Sequence, residues 1–159
     1  MSTVQLVEDL ARKGWHVALA ESCTGGLIAH DLTEVAGASA VFGLGVVSYS
    51  NAMKGRVLGV PEAVLVEHGA VSAACVCAMV DGVQKLSAAD VCAAVSGIAG
   101  PSGGSSDKPV GTVWVGLGRH DERWQKRYQF NGDRRSVRRA TSAAVFAGLS
   151  QLVRGEEPW

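Results

Sequence analysis

The 159-residue sequence lacks several features that would point to a particular class of protein. Its 15 basic and 15 acidic residues cancel, so there is no net charge to attract nucleic acid or an acidic membrane surface. No apolar run approaches the ~18 residues of a membrane-spanning helix, and no signal peptide is recognisable. We therefore expect a soluble, cytoplasmic protein that binds neither nucleic acid nor a membrane.

Cysteine is scarce, and its positions suggest no metal site. Cys23, Cys75, Cys77 and Cys92 lie in apolar or small-residue surroundings. None forms a C-x-x-C pair or has a histidine at zinc-ligand spacing. We expect four reduced thiols, no metal and no cofactor.

Apolar residues are plentiful, at 47% of the chain, and their spacing alternates between strand and helix patterns. At this length they predict a single domain over residues 1–159. The predicted fold is α/β, a three-layer α/β/α sandwich whose mixed sheet has about five strands. The predicted strands are 16–20, 41–49, 90–95, 110–118 and 124–130. Six helices are predicted. The first follows Ser2, the second spans 25–34, the third contains Lys54, the fourth begins at Pro61, and the last two follow Ser72 and Asp133.

The segment 20–26 places small nucleophiles where the first strand ends and a helix is about to begin. Ser22, Cys23 and Thr24 would lie among unpaired backbone N–H groups, which stabilise a negative charge. Gly25 and Gly26 would let a ligand approach the backbone closely. Ser22 could instead simply cap the helix, and spacing alone does not choose among the three nucleophiles.

A serine nucleophile needs a base, and none of the four histidines has a suitable setting. Tyr49, Asn51 and Lys54 bring a phenol, an amide and an ammonium group together as the second strand ends. Lysine acts as a base only if burial or a nearby cation lowers its pKa. The alternative is an ordinary surface lysine.

Two further segments could contact a substrate. Ser96, Gly97 and Gly100 belong to a loop after a buried strand, where the backbone could close over a ligand. Arg134 and Arg138 lie in the first turns of the last helix, where the helix dipole opposes positive charge. A bound phosphate would compensate for that opposition, and the alternative is a solvated basic face.

Six blocks of sequence closely resemble the CinA carboxy-terminal domain family, the family of nicotinamide mononucleotide deamidases. They occur in the family's order from about residue 3 to residue 153. The blocks are residues 20–26, 49–51 with Lys54, 68–72, 96–101, 108–113 and 132–134.

The resemblance implies hydrolysis of the carboxamide of nicotinamide mononucleotide to nicotinate mononucleotide and ammonia. Ser22 would attack the amide carbon, Lys54 would accept its proton, and Tyr49 would orient or relay within that pair. Backbone N–H groups from Cys23 to Gly26 would hold the oxyanion. No metal is implied.

The resemblance also implies the binding residues and an assembly. Arg134, with Arg138 as a second choice, would bind the substrate phosphate, and Ser96 occupies a position where many relatives have threonine. The expected assembly is a homodimer or a larger homo-oligomer. The remaining residues expected to bind substrate are Cys23, Thr24, Gly25, Gly26, Asn51, Gly97 and Gly100.

Two other functions remain open on the sequence. One is an amidase or esterase of similar mechanism that acts on another phosphorylated small molecule. The other is a catalytically silent ligand-binding module of the competence- or damage-inducible type.

Overall fold

The computed structural model describes residues 2–159 and contains one five-stranded mixed sheet. The strands are β1 (Val17–Glu21), β2 (Phe42–Val47), β3 (Val91–Gly97), β4 (Thr112–Arg119) and β5 (Glu122–Gln129). Their order across the sheet is β2-β1-β3-β4-β5. β1 is parallel to both β2 and β3, whereas β3, β4 and β5 are successively antiparallel. The predicted mixed sheet of five strands is confirmed.

Helices cover both faces of the sheet. They are α1 (Thr3–Lys13), α2 (Leu27–Thr33), α3 (Asn51–Leu58), α4 (Glu62–His68), α5 (Ala73–Ser87) and α6 (Arg134–Val153), with a short 3₁₀ helix at Ala38–Ala40. One core cluster joins the sheet to α1, α2 and α6, and a second joins it to α5, which α3 and α4 contact in turn. The α/β/α layering predicted from the sequence is therefore confirmed.

Side-chain caps explain where several helices begin. The hydroxyl oxygens of Ser2, Ser50 and Ser72 each accept a hydrogen bond from the backbone N–H three residues later, and Asp133 does the same for α6. Each cap satisfies a donor that the helix itself cannot pair. The starts at Ser2, Ser72 and Asp133 agree with the predicted ones.

The predicted and observed elements differ at their ends. Helix α2 begins at Leu27 rather than at residue 25, because Gly25 and Gly26 have φ values of 58° and 96°, outside the right-handed helical region. The connection between β4 and β5 is shorter than the predicted polar tract 119–123, since only two residues, His120 and Asp121, separate the strands.

The parallel arrangement of β1, β2 and β3 brings three distant segments to one edge of the sheet. Ala20 of β1 lies beside Val46 of β2 and Ala94 of β3. The residues that follow these positions therefore meet at the carboxyl ends of the strands, where open α/β sheets bind ligands.

Across residues 2–159, no helix combines the length and the apolar character needed to cross a bilayer.

Candidate active site

Ser22 and Lys54 meet at this edge of the sheet although 32 positions separate them in the chain. The Nζ atom of Lys54 lies 2.8 Å from the Oγ atom of Ser22, within hydrogen-bonding distance. Ser22 follows β1 directly, and Lys54 lies in the first turn of α3, whose start is set by the Ser50 cap. A potential nucleophile and a potential base are thus in direct contact.

Lys54 is buried, with 1% of its surface exposed, and its Nζ also donates to the backbone carbonyls of Ser48 at 3.0 Å and Tyr49 at 3.3 Å. It forms no salt bridge with any carboxylate of residues 2–159. Burial lowers the pKa of Lys54 below the ordinary value of 10.5, because a charged ammonium loses hydration there. A neutral amine has two N–H groups for the two carbonyls, and its lone pair is then free to accept the Ser22 hydroxyl hydrogen.

The two rival nucleophiles have different surroundings. Burial raises the pKa of the Cys23 thiol to about 11, so its reactive thiolate form is rare at neutral pH. The Thr24 hydroxyl is fully buried and donates to the Glu21 carboxylate at 2.6 Å. Of the three side chains, only that of Ser22 hydrogen bonds to Lys54.

The backbone N–H groups of segment 22–26 are less available than the sequence suggests. The Gly25 N–H donates to the Ser22 carbonyl, and the Gly26 N–H donates to Glu21. These two N–H groups already have acceptors, so they are not free donors for an oxyanion. Within residues 2–159, the N–H groups of Cys23 and Thr24 have no acceptor.

Glu21 is a buried residue beside the site that sequence reasoning missed. Its carboxylate accepts hydrogen bonds from the N–H groups of Ile28 and Ala29 as well as from Gly26 and Thr24. An acidic residue just before a glycine turn and a helix start was the available signal, since carboxylates favour helix N-termini.

A cavity of about 280 Å³ opens beside Ser22. The residues at or after the ends of β1, β2 and β3 form one side, and two loops and Arg134 of α6 form the rest. The predicted residues that line it are Ser22, Cys23, Tyr49, Asn51, Lys54, Ser96, Gly97, Gly100 and Arg134. Lining residues that were not predicted include Ala70, Val71, Ile98, Ser102 and Gly103.

Tyr49 and Arg134 form a pair at the mouth of the cavity. An Arg134 terminal nitrogen donates to the Tyr49 hydroxyl at 2.8 Å, and the other donates to the Gly100 carbonyl at 2.7 Å. The Tyr49 hydroxyl makes no hydrogen bond to Ser22 or Lys54. Tyr49 instead reaches Lys54 through its backbone carbonyl.

Four predicted binding residues do not line the cavity: Thr24, Gly25, Gly26 and Arg138. Arg138 donates to the Thr24 carbonyl at 2.6 Å and lies close to Gly25. These residues hold the turn after β1.

Ser96 presents an unused hydroxyl to the cavity. The residue is 2% exposed and lies near the end of β3, and its Oγ hydrogen bonds to no residue of the described chain 2–159. A buried hydroxyl that faces a cavity can pair with a ligand polar group.

No group of three or more histidine, cysteine, aspartate or glutamate side chains that could hold a metal is present in residues 2–159.

Comparison with known proteins gives a family match over nearly the whole chain. The model of the CinA C-terminal domain family matches residues 2–153. The chain is 53% identical to nicotinamide-nucleotide amidohydrolase PncC of Pseudomonas putida over 148 residues, which are 93% of this chain and 92% of that protein. It is 52% identical to the protein of the same name from Enterobacter agglomerans, over 91% of this chain and 88% of that protein.

Longer relatives and solved structures also match. The chain is 46% identical to a CinA-like protein of Thermotoga maritima over 97% of its own length, but it spans only 37% of that protein. A CinA superfamily protein from Klebsiella pneumoniae superposes with a TM-score of 0.93 at 37% identity, covering 96% of both chains. A competence/damage inducible protein from Agrobacterium tumefaciens superposes with a TM-score of 0.89 at 38% identity, covering 96% of this chain and 92% of that protein.

Proposed function

The chain belongs to the CinA C-terminal domain family, and we propose that it is a nicotinamide-nucleotide amidase in which Ser22 is the nucleophile and Lys54 the base. The observation that carries this proposal is the 2.8 Å contact between Lys54 Nζ and Ser22 Oγ in a buried site. The PncC relatives, named as nicotinamide-nucleotide amidohydrolases, match almost end to end.

The first half of the reaction forms an acyl-enzyme. Neutral Lys54 accepts the Ser22 hydroxyl proton as Oγ attacks the carboxamide carbon of nicotinamide mononucleotide. The N–H group of Cys23, which lines the cavity, stabilises the negative charge on the former carbonyl oxygen. Lys54 then returns the proton to the departing nitrogen, and ammonia leaves.

The second half consumes one water molecule. Lys54 accepts a proton from water, whose oxygen attacks the ester carbon of the acylated Ser22. The ester bond breaks, the proton returns to Ser22 Oγ, and nicotinate mononucleotide is released. Across both halves, one amide and one water give one acid and one ammonia.

Arg134 supports recognition of the phosphate. It lines the cavity, and its bonds to Tyr49 and Gly100 occupy only two of its five N–H donors. The remaining donors suit bidentate phosphate binding. In this proposal Tyr49 acts on substrate and on Arg134 rather than as a relay between Ser22 and Lys54.

The size and polarity of the cavity also favour a mononucleotide. Small-molecule sites typically enclose ~300–1,000 Å³, and about 280 Å³ lies just below that range, which suits a small ligand. The Asn51 amide, the Ser96 hydroxyl and the backbone of Gly97 and Gly100 supply polar contacts. We assign these groups to the carboxamide and ribose of the substrate.

The decisive experiment measures ammonia and nicotinate mononucleotide released from nicotinamide mononucleotide, without added metal. The wild type should release the two products in equal amounts. Ser22→Ala should lose at least about 10³-fold in kcat, since the nucleophile is removed. Lys54→Arg keeps the positive charge but cannot act as a base, and it should be inactive at every pH up to 10.

The wild-type pH profile completes the test. Its kcat/KM should rise with pH through a pKa below 10.5, because the lowered pKa lets neutral Lys54 accumulate earlier. Unchanged product release in Ser22→Ala would refute the nucleophile. Absence of turnover in the wild type would refute the substrate and favour an amidase for another phosphorylated compound or a silent binding module.

Homodimer formation remains a prediction from the family resemblance, and a cytoplasmic location remains a prediction from the sequence composition. Light scattering of the purified protein would test the first.

A further inference from the structure

We propose that Glu21 is a positioning residue for the acyl-transfer step. This proposal rests on the proposed role of Ser22 as nucleophile. In this inference the Glu21 carboxylate binds the N–H groups at the start of α2. That leaves the N–H group of Cys23, which lines the cavity, as a donor to the substrate oxyanion.

Glu21 makes an unusually complete set of hydrogen bonds for a buried carboxylate. It is 1% exposed. One oxygen, Oε2, accepts from the Thr24 hydroxyl at 2.6 Å, the Gly26 N–H at 3.0 Å and the Ile28 N–H at 3.1 Å. The other, Oε1, accepts from the Ala29 N–H at 2.8 Å. These bonds satisfy the negative charge without a basic side chain.

The carboxylate occupies the place that an anionic ligand would otherwise take. The first N–H groups of a helix carry a partial positive charge and lack intrahelical partners. With Glu21 bound to the N–H groups of Gly26, Ile28 and Ala29, neither the substrate phosphate nor the oxyanion can use them. The phosphate is thereby directed to Arg134, and the oxyanion to the turn beside Ser22.

The bonds of Glu21 to Thr24 and Gly26 act together with a bond inside the turn to orient the Cys23 N–H. The Ser22 carbonyl accepts from the Gly25 N–H at 3.0 Å, and a peptide group is planar. The Ser22 carbonyl and the Cys23 N–H belong to one peptide group and point in opposite directions, so holding the carbonyl also fixes the direction of the N–H. Thr24 is held at its hydroxyl by Glu21 and at its carbonyl by Arg138, so its backbone cannot rotate freely.

The variant that tests this inference is Glu21→Gln, which keeps the size of the side chain but replaces one acceptor oxygen with an NH₂ group. An NH₂ group cannot accept a hydrogen bond, and both Glu21 oxygens now accept them, so at least one backbone N–H of α2 loses its acceptor. Misplacing oxyanion donors slows chemistry more than it weakens binding, and loss of one donor typically costs ~10²–10³ in kcat. We expect kcat to fall at least about tenfold, with KM within about threefold of the wild type.

Asp31→Asn is the matched control. It makes the same carboxylate-to-amide change in α2, where Asp31 accepts from the Ser142 hydroxyl at 2.6 Å, but it does not touch the turn at 22–26. A general loosening of α2 would affect both variants, whereas positioning of the donor affects only Glu21→Gln. Both should be compared at a temperature well below their measured Tm.

A second readout does not depend on the natural substrate. A fluorophosphonate reacts when Ser22 Oγ bonds to phosphorus, fluoride leaves and Lys54 accepts the serine proton, while the phosphoryl oxygen occupies the oxyanion position. Glu21→Gln should be labelled at least about tenfold more slowly than the wild type. Should Glu21→Gln not fold, Thr24→Val removes one bond to Glu21 and should slow labelling about threefold or more.

The two readouts separate the inference from the proposed function. Normal labelling of a wild type that does not hydrolyse nicotinamide mononucleotide would refute the substrate, and the labelling rates would still test Glu21. Wild-type kcat and labelling rates in the Glu21 variant, or equal losses in Asp31→Asn, would overturn the positioning role. A wild type that is not labelled at Ser22 would overturn both proposals.

Discussion

At the scale of single residues, the site depends on a lysine that is costly to bury. Lys54 is 1% exposed and has no carboxylate partner among residues 2–159. Its neutral form is favoured by burial, and that form is the one able to accept a proton. The stability lost by burying an amine is thus linked to the reactivity proposed for Ser22.

Replacing Lys54 with methionine should raise stability while abolishing activity. The folded protein releases the Lys54 proton below pH 10.5, where the unfolded chain still binds it. The free energy of unfolding of the wild type therefore increases with pH between the pKa of Lys54 in the folded protein and its pKa in the unfolded chain. Lys54→Met lacks this effect and should have a Tm at least ~2 °C above the wild type at pH 7.

Thermal unfolding at several pH values would measure this difference, and the advantage of Lys54→Met should shrink as the pH approaches 10. The control is Lys85→Met, which changes an exposed lysine of α5 and should leave Tm nearly unchanged at all pH values. A Lys54→Met protein less stable than the wild type at pH 7 would contradict the cost assigned to the buried amine.

At the scale of elements, α3 and α5 hold Lys54 in place through an unusually close approach. A Cβ atom added to Gly82 of α5 would lie 2.0 Å from the Leu58 carbonyl oxygen of α3. Backbone atoms cannot give way as a flexible side chain can, so glycine is required there despite its low helix propensity.

Two glycine-to-alanine changes on these helices should have opposite effects. Gly82→Ala should lower the free energy of unfolding by about 1–3 kcal/mol or more through overpacking, and lower kcat by displacing α3. Gly55→Ala, on α3 itself, should be neutral or stabilising by up to ~1 kcal/mol. Its added Cβ would lie 3.5 Å from the nearest atom outside the helix, the Val60 carbonyl oxygen, which is an ordinary contact distance.

Urea unfolding of both variants would measure these changes, and equal m-values would show that the unfolded states are comparable. A fully stable Gly82→Ala protein would show that the two helices separate easily. Lys54 would then be held by its own hydrogen bonds rather than by the packing of α3 on α5.

At the scale of the whole molecule, the cavity has walls from distant parts of the chain. The connection 69–72 between α4 and α5 supplies Ala70 and Val71, and the loop after β3 supplies Ser102 and Gly103. Lys108 joins these walls, because its Nζ donates to the His68 carbonyl at 2.8 Å. The shape of the cavity therefore depends on a contact outside it.

Removing this contact should weaken substrate binding more than chemistry. Lys108→Met keeps most of the side-chain stem but loses the hydrogen bond, which contributes about 1 kcal/mol. We expect KM to rise about fivefold and kcat to change less than twofold. Lys126→Met, on β5 near Tyr128 and Trp159, is the matched control and should leave both constants unchanged in steady-state assays. A lowered kcat with unchanged KM would contradict this role for Lys108.

The sequence by itself determined the elements, the mixed sheet and the family. Apolar periodicity and the helix starts at Ser2, Ser72 and Asp133 are local properties, so they are readable without a fold. The strand-to-helix turn at Ser22 and the six family blocks are local in the same sense. The ends of α2 and of the β4–β5 connection were less predictable, because they depend on backbone angles at single residues.

Only the tertiary structure decided which groups meet. The contact of Lys54 with Ser22 spans 32 positions, that of Arg134 with Tyr49 spans 85, and that of Arg138 with Thr24 spans 114. The burial that lowers the pKa of Lys54 likewise comes from elements distant in sequence. Hydrogen bonding and desolvation act over a few ångströms in space, and sequence spacing does not specify those distances.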